Sequence, residues 1–495
     1  DEALICFSQM KDLGLSPDSF TFASILKACS SNICFLKKGE EIHAEICNKE
    51  GLLENNLALG NALVDMYAKC GAIIKAEKVF YKLPAQDTVT WTTLIAGYAH
   101  HGLDMKALNC AREMQEKGYS PDVVTYSCIL KVCASIGSVE KGEEIHAEIR
   151  RLGLLAKHTS LGTALIDMYA KCGMFMKAKE VFDELPLRDA VSWTALMVGY
   201  GQLGQVKMVV ASFNEMLTEG IVPDGITFLV LLNACSHAGL VEEAQSYFHT
   251  MTTVYCLIPT LEHHTCMVNL YSHVGHFNKA ILIIKRVQYS NSFQLWLALL
   301  DGCRMWVNVE LGRLAFANLV LLDKSNALAY VCMSNIYAAA GMQAEADEVE
   351  DLRMRNGASN ISICSYWTDK SNNVHSFVVG DDNHPQIERI HAKLEDIGQK
   401  LTQGDCSTQL HWLSKSISEN KKGDKLCGCS EMLAVTCALI NTCDGMPLRI
   451  TKNSSICEDC HFAISLVSKM EKRVIQVKDA RRIHIFEDGK CICGK

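Results

Sequence analysis

The residues best equipped for chemistry lie late in the chain: Cys429-Ser430-Glu431, then Cys457-Glu458-Asp459-Cys460-His461, then His484, then Cys491-Ile492-Cys493. Thiolate sulfur and imidazole nitrogen are ligands that zinc prefers, and a Cys-x-x-Cys pair has metal-ligand spacing. Alone, such a pair is weak evidence. Here further cysteines, histidines and a glutamate accompany it. A zinc ion with an open position lowers the pKa of a bound water, and a carboxylate beside it, not itself a ligand, moves protons. The chemistry on offer is metal-assisted hydrolysis. Cys427 lies two residues before Cys429 and could compete for the metal. Lys469, Lys472, Arg473, Lys478, Arg481 and Arg482 cluster nearby, either as phosphate-holding cations or as a solvated helix face.

These residues need a framework, and most of the chain reads as helix. Hydrophobic residues make up 49% and charged residues 21%, the balance of a folded protein. Prolines number only 8, and glycines recur singly at regular places. No window approaches 18 consecutive apolar residues, so no membrane span is expected. The chain opens at Asp1 inside what reads as a helix, so a fragment is expected, with any targeting segment outside it. A net charge of −8 shows no basic footprint of nucleic-acid binding, although the local charge of a groove decides that question. The 24 cysteines have no compact disulfide spacing. Outside the C-terminal group they are expected to be small buried thiols of a reducing compartment.

Self-similarity organises the rest. GNALVDMYAKCGAIIKAEKVF from Gly60 returns as GTALIDMYAKCGMFMKAKEVF from Gly162, 102 residues later. DTVTWTTLIAGYAHHG from Asp87 returns as DAVSWTALMVGYGQLG from Asp189, and KGEEIHAEI from Lys38 returns from Lys141. The large period subdivides into Thr88–Asp122, Val123–His158 and Thr159–Asp189, of 35, 36 and 31 residues, followed by Ala190–Asp224 of 35. Within Thr88–Asp122 one helix carries Trp91, Leu94, Ile95 and Tyr98 on a single stripe. Gly102 marks a turn, and a second helix carries Ala107, Cys110, Ala111 and Met114. No such pair can bury its stripe alone, so neighbours must stack into an α-solenoid.

The alternating lengths and the Ser-Pro-Asp or Val-Pro-Asp junctions resemble the long–short (PLS) class of pentatricopeptide repeats, a plant family of organelle RNA-binding proteins. Tetratricopeptide units differ, with a fixed period of 34 residues and another signature. The resemblance implies an all-α helical-repeat solenoid, a right-handed superhelix of helix-turn-helix units, over residues 1–292. Residues 293–357, with NALAYVCMSNIYAAAG, resemble the helical extension motifs of that family, and 358–402 resembles its linker region. In relatives each unit contacts one base through its fifth and last residues, a base-per-repeat reading of single-stranded RNA. Carried over, Asn61 with Asp87 resembles a uracil reader. Thr92 with Asp122, Thr163 with Asp189 and Thr194 with Asp224 resemble guanine readers. Ser127 with His158 and Leu229 are uninformative, Thr265 ends on Ser292 where Asp is usual, and the expected core is U-G-x-G-G. Asp before a helix is also a good N-cap whatever the repeat binds.

Residues 403–495 resemble the DYW deaminase domain of the same proteins, a small α/β zinc deaminase-like fold. CSEMLAVTCALIN matches the helix bearing the family's His-Ser-Glu, PLRITKNSSICEDCHFAISLVSK the second half, and RRIHIFEDGKCICG the tail. The resemblance implies Glu431 as proton shuttle and Cys429, Cys457 and Cys460 at a catalytic zinc. It implies His461, His484, Cys491 and Cys493 at a second, structural zinc, so two ions are expected. The sequence departs from the pattern in three places. Cys429 stands where the family has His, Ile485 replaces the second His of a pair, and the sequence reads Gly494-Lys495 where Asp-Tyr-Trp is usual. A third thiolate adds negative charge and makes a metal-bound water less acidic.

Three functions follow. One is sequence-specific RNA binding coupled to zinc-dependent cytidine-to-uridine editing in a mitochondrion or chloroplast. Another is an RNA-binding specificity factor whose inactive deaminase-like domain recruits another editing enzyme or factor. The third is a peptide-binding scaffold, as other helical solenoids are.

Overall fold

The computed structural model describes residues 2–30, 33–49, 51–53, 56–287, 292–358, 364–369, 374–378, 384–402, 430–443, 445–479 and 482–492. Two compact units result, 1–172 and 173–495.

In the first unit, helices Ser19–Cys29, Leu57–Lys69, Thr88–His100, Val123–Ile136 and Thr159–Lys171 pack side by side as one layer. Glu2–Asp12, Leu36–Cys47, Ile73–Lys82, Asp104–Glu116 and Val139–Arg151 alternate with them in sequence as the second helices of the pairs. The stripe read from sequence is the core: Trp91, Leu94 and Ile95 are fully buried, with Ala107 and Met114 across from them. Gly97 sits where adjacent helices approach closely, since a Cβ there would lie 2.8 Å from the Ala68 Cβ. Gly137, with φ of 73°, closes Val123–Ile136 in the left-handed conformation open to glycine.

The second unit continues the pairing from Phe175–Glu184 and Ala190–Gln202 to Ala327–Ala339 and Gln343–Arg355. The large period is visible in packing: Phe80 meets Trp91 edge-on at 4.7 Å and, 102 residues on, Phe182 meets Trp193 at 4.6 Å. Cys29, Cys70, Cys110, Cys133, Cys172, Cys235, Cys266, Cys303 and Cys332 are buried thiols outside any disulfide, as expected for space-fillers, and burial pushes Cys133 up to about 12. Cys6, Cys34, Cys47 and Cys256 depart from that expectation and are exposed. No helix among the described residues is long and apolar enough to cross a membrane.

An α/β region closes the second unit. Its strands are β1 (Cys364–Thr368), β2 (Val374–Val378), β3 (Leu448–Lys452), β4 (Ile475–Lys478), β5 (Ile483–Glu487) and β6 (Lys490–Cys491), in the sheet order β2-β1-β3-β4-β5-β6. β3 and β4 are parallel, joined by helix Glu458–Met470, and the other pairings are antiparallel. Asp488 and Gly489, with φ of 49° and 80°, form the tight two-residue turn that folds β6 back onto β5. Helix Ser430–Asn441 is buried from Ser430 to Leu439 on most of its sides, and Met432, Ala434, Val435 and Ala438 belong to the core against the sheet. The segment read as a linker supplies β1 and β2, which extend the sheet beside β3. β1 pairs with β3, far along the chain, while β2 pairs with its neighbour β1 at the edge of the sheet.

Candidate metal centres and nucleic-acid interface

Two of the donor groups read from sequence converge. Glu431, Cys457 and Cys460 offer ligand-type atoms all within 4.8 Å of one another. Cys457 is the N-cap of helix Glu458–Met470, and its sulfur accepts the Cys460 N–H at 3.3 Å. Cys460 stands three residues on, so both sulfurs share the first turn, where the helix N-terminus favours negative charge. Glu431 projects from the first turn of Ser430–Asn441 and is buried. Its Oε1 meets Lys452 Nζ at 2.5 Å and its Oε2 accepts from Ser430 Oγ at 3.2 Å. Ser430 Oγ in turn meets Ser365 Oγ of β1 at 3.0 Å. The carboxylate is thereby clamped at both oxygens beside two sulfurs. Cys429 and Cys427 lie outside the described residues.

His461, His484 and Cys491 form the second group, again within 4.8 Å. Cys491 Sγ faces His484 Nδ1 at 3.9 Å, and the His461 and His484 rings meet edge-on at 5.0 Å. His484 Nε2 points the other way, to Asp479 Oδ2 at 3.3 Å. A carboxylate only accepts, so Nε2 carries the proton and Nδ1 keeps its lone pair toward Cys491 and His461. Both donor sets suit zinc in atom type and burial. Cys493 lies outside the described residues.

A third group, His375, His384 and Cys437, also gathers within 4.8 Å. Of the basic cluster, Arg473 is buried and spends its guanidinium on Met446 O at 2.7 Å and Thr442 Oγ1 at 2.8 Å, a structural role. Arg481 lies outside the described residues. Lys452 and Asp479 were not singled out by motif. A signal for Lys452 existed, because strand alternation puts it in the inward series with Leu448 and Ile450.

Along the repeats, Asp87, Asp122, Asp189 and Asp224 are all N-caps. Each takes the N3 backbone N–H on Oδ1 at 2.8 Å, and Thr90, Thr125 and Thr227 add their hydroxyls to the same oxygen. Asn61 Nδ2 reaches Asp87 Oδ1 at 3.4 Å. Thr92 is linked to Asp122 through Thr125 (2.6 and 2.8 Å), and Thr194 to Asp224 through Thr227 (3.1 and 2.8 Å). Thr92 and Thr194 are each only 7% exposed, and Thr163 is half-buried with its hydroxyl on Thr159 O. Sequence reasoning missed a row of exposed apolar residues at the second position of five first helices: Phe20, Val89, Val124, Val191 and Ile226 are 54–82% exposed.

Comparison with known proteins gives this geometry a family. The chain matches the DYW family of nucleic acid deaminases over 405–495, the E motif over 306–366 and the E+ motif over 374–401. It matches the PPR repeat family over 86–135 and 188–237, and the PPR repeat over 61–86, 124–154, 163–189 and 226–255. The pentatricopeptide repeat-containing protein CRR2, chloroplastic, of Arabidopsis thaliana is 36% identical over 500 residues, covering 100% of this chain and 75% of the relative. The chain belongs to the pentatricopeptide-repeat family. It is a PLS-class member with E, E+ and DYW motifs. Another Arabidopsis thaliana pentatricopeptide repeat-containing protein is 35% identical over 495 residues, and the chain spans 59% of its length. Among solved structures, maize pentatricopeptide repeat protein PPR10 in complex with an 18-nt psaJ RNA element aligns with a TM-score of 0.55 at 18% identity. The alignment covers 84% of this chain and 58% of that one. This likeness establishes the solenoid fold.

Proposed function

We propose that this pentatricopeptide-repeat chain binds single-stranded RNA in a plant organelle and hydrolyses one cytidine to uridine and ammonia. Chloroplastic relatives and the RNA complex of PPR10 support the compartment and the ligand class. In this reading residues 1–292 find the RNA, 293–357 and 358–402 join array to catalyst, and 403–495 carry the chemistry. The observation that carries it is the buried Glu431 beside the sulfurs of Cys457 and Cys460. When bound, zinc supplies the Lewis acidity that makes water a nucleophile near neutral pH. Cys457 and Cys460, with Cys429, would hold that ion, and His461, His484, Cys491 and Cys493 a second. Glu431 takes the proton from water, hands it to the ring nitrogen and serves the departing amine.

RNA reading by the Asp residues is compatible with their capping. Capping occupies Oδ1 alone, and Oδ2 of Asp122, Asp189 and Asp224 has no bond among the described residues. An acceptor-only oxygen suits the N–H edge of guanine, with Thr92, Thr163 and Thr194 as the second contact. Asn61 with Asp87 would take uracil. Exposed Val89, Val124, Val191 and Ile226 offer apolar surface for base faces in the same helical turn.

The second reading, a specificity factor acting with another editing enzyme, is favoured by Cys429 in the position of the family's His. One assay separates them: conversion of an RNA carrying U-G-x-G-G and a downstream cytidine by wild type, Glu431→Gln and Cys429→His. Conversion by wild type that is lost in Glu431→Gln establishes the enzyme. Conversion only by Cys429→His leaves RNA recognition as the native role.

A further inference from the structure

Asp479 lies between the two metal centres and belongs to neither donor set. It is 8% exposed, directly after β4, and its carboxylate is held by Arg482, Ile456 and His484. Oδ1 accepts the Arg482 N–H at 2.7 Å, which closes the connection to β5 together with Asp479 N–H on Arg482 O at 2.9 Å. Oδ2 accepts the Ile456 N–H at 3.1 Å and faces His484 Nε2 at 3.3 Å. Ile456 immediately precedes Cys457.

We propose that Asp479 is the positioning residue of the second zinc site: it fixes the tautomer and angle of His484, and through the Ile456 amide it ties that site to the loop presenting Cys457. The inference rests on the second-zinc reading given above. Metal-binding histidines commonly donate their other ring N–H to a carboxylate, which orients the ring and raises its basicity. Here the orientation can be checked. Zinc at ordinary distances from a sulfur and a nitrogen, about 2.3 and 2.1 Å in tetrahedral geometry, separates them by roughly 3.6 Å. Cys491 Sγ and His484 Nδ1 are 3.9 Å apart, a few tenths beyond that span. If Nε2 lost its acceptor, the proton could sit on Nδ1 and cover the lone pair the metal needs.

The test uses the full chain loaded with zinc, with ions per chain and release rate into a chromophoric chelator measured well below the melting temperature. Asp479→Asn presents an amide N–H to His484 or to Ile456 and should release the second zinc about 10- to 100-fold faster. The Cys457–Cys460 centre, which Asp479 reaches through the Ile456 backbone amide, should change less. Because the carboxylate also holds two backbone amides, Asp479→Glu is measured alongside; it keeps an acceptor-only group and should stay within about threefold of wild type, whereas a purely spatial role predicts that it fails with Asn. Wild-type release from both centres in Asp479→Asn, or loss of the second zinc in Asp479→Glu as fast as in Asp479→Asn, overturns the proposal. His484→Ala must lose one ion. Retention of both ions there removes the premise and the proposal with it, while the reading of Glu431, Cys457 and Cys460 stands.

Discussion

Replacing Lys452 by Met tests whether the clamp on Glu431 is electrostatic. The two side chains are 6% and 3% exposed, with Nζ and Oε1 2.5 Å apart. At an effective dielectric of about 20, unit charges at that separation attract by roughly 6–7 kcal/mol. Desolvating two ions takes back several kcal/mol each, so the intact pair contributes little net stability. Removing one partner is different, because the other stays buried without compensation. Lys452→Met should therefore cost about 3–5 kcal/mol. Glu431→Gln should cost less, since the amide still offers Lys452 an acceptor. The double variant Glu431→Gln/Lys452→Met should be more stable than the sum of the single losses by roughly 2–3 kcal/mol, because no orphaned charge remains. Denaturant unfolding with hydrogen exchange along 430–441 reads all four proteins. Simple additivity of the two substitutions would refute the reasoning and make Lys452 a packing residue. The same reasoning makes Gln, rather than Ala, the cleaner probe of Glu431 in an editing assay.

Other expectations concern the repeats and the α/β region. Asp224→Asn keeps an N-cap, so melting should hold within about 0.5 kcal/mol, while preference for guanine at its RNA position should fall; Asp224→Ala should lose both, with about 1 kcal/mol of stability. Unchanged base preference in Asp224→Asn would reduce Asp224 to a cap. Val191→Ser, at a site 58% exposed, should leave folding unchanged and weaken RNA binding about fivefold, as expected if roughly 1 kcal/mol of apolar contact is lost; filter binding at fixed salt measures it. Burial, and then neighbouring His375, holds His384 below the ordinary imidazole value. The unfolded chain therefore binds the proton more readily, and stability should fall as pH drops through about 6.5. Melting from pH 7.5 to 5.5 should fall more steeply in wild type than in His384→Gln.

What the sequence made legible follows from the range of the forces involved. Helix pairs announce themselves because stripe, turn glycine and N-cap are local and recur: Trp91 and Trp193 occupy the same packing position 102 residues apart. With 24 cysteines and 17 histidines in the chain, spacing alone did not group the donors. It was the resemblance of the flanking segments that set Glu431 with Cys457 and Cys460, and His461 with His484 and Cys491, the same sets that gather within 4.8 Å. Ser365 and Asp479 were not legible, since their roles arise only when β1, β3 and β4 align in one sheet, and for Lys452 strand alternation signalled burial but not its partner Glu431. The near-burial of Thr92 and Thr194 was equally hidden. It comes from Thr125 and Thr227 of the following helix, whose hydroxyls bridge to the capping Asp.

Donor type alone does not make a metal site, and the third group shows why. His384 Nδ1 accepts the Gln386 backbone N–H at 3.1 Å, so the ring proton belongs on Nε2. That nitrogen donates to His375 Nδ1 at 2.9 Å, which leaves the His375 proton on Nε2 facing Asp369 at 3.5 Å. Cys437 adds a thiol that burial pushes up to about 11, with Asn441 Nδ2 already 3.5 Å from its sulfur. Every ring nitrogen in this group is used in a directed chain from Gln386 to Asp369, and the sulfur keeps its proton at neutral pH. At His484 the carboxylate stands on the far side of the ring and turns the lone pair inward. Here both lone pairs are spent, one on a backbone amide and the other on a neighbouring imidazole. The same residue types thus give a donor set suited to zinc in one corner of the sheet and a proton-bearing brace in another, and the placement of a single N–H donor or carboxylate decides between them.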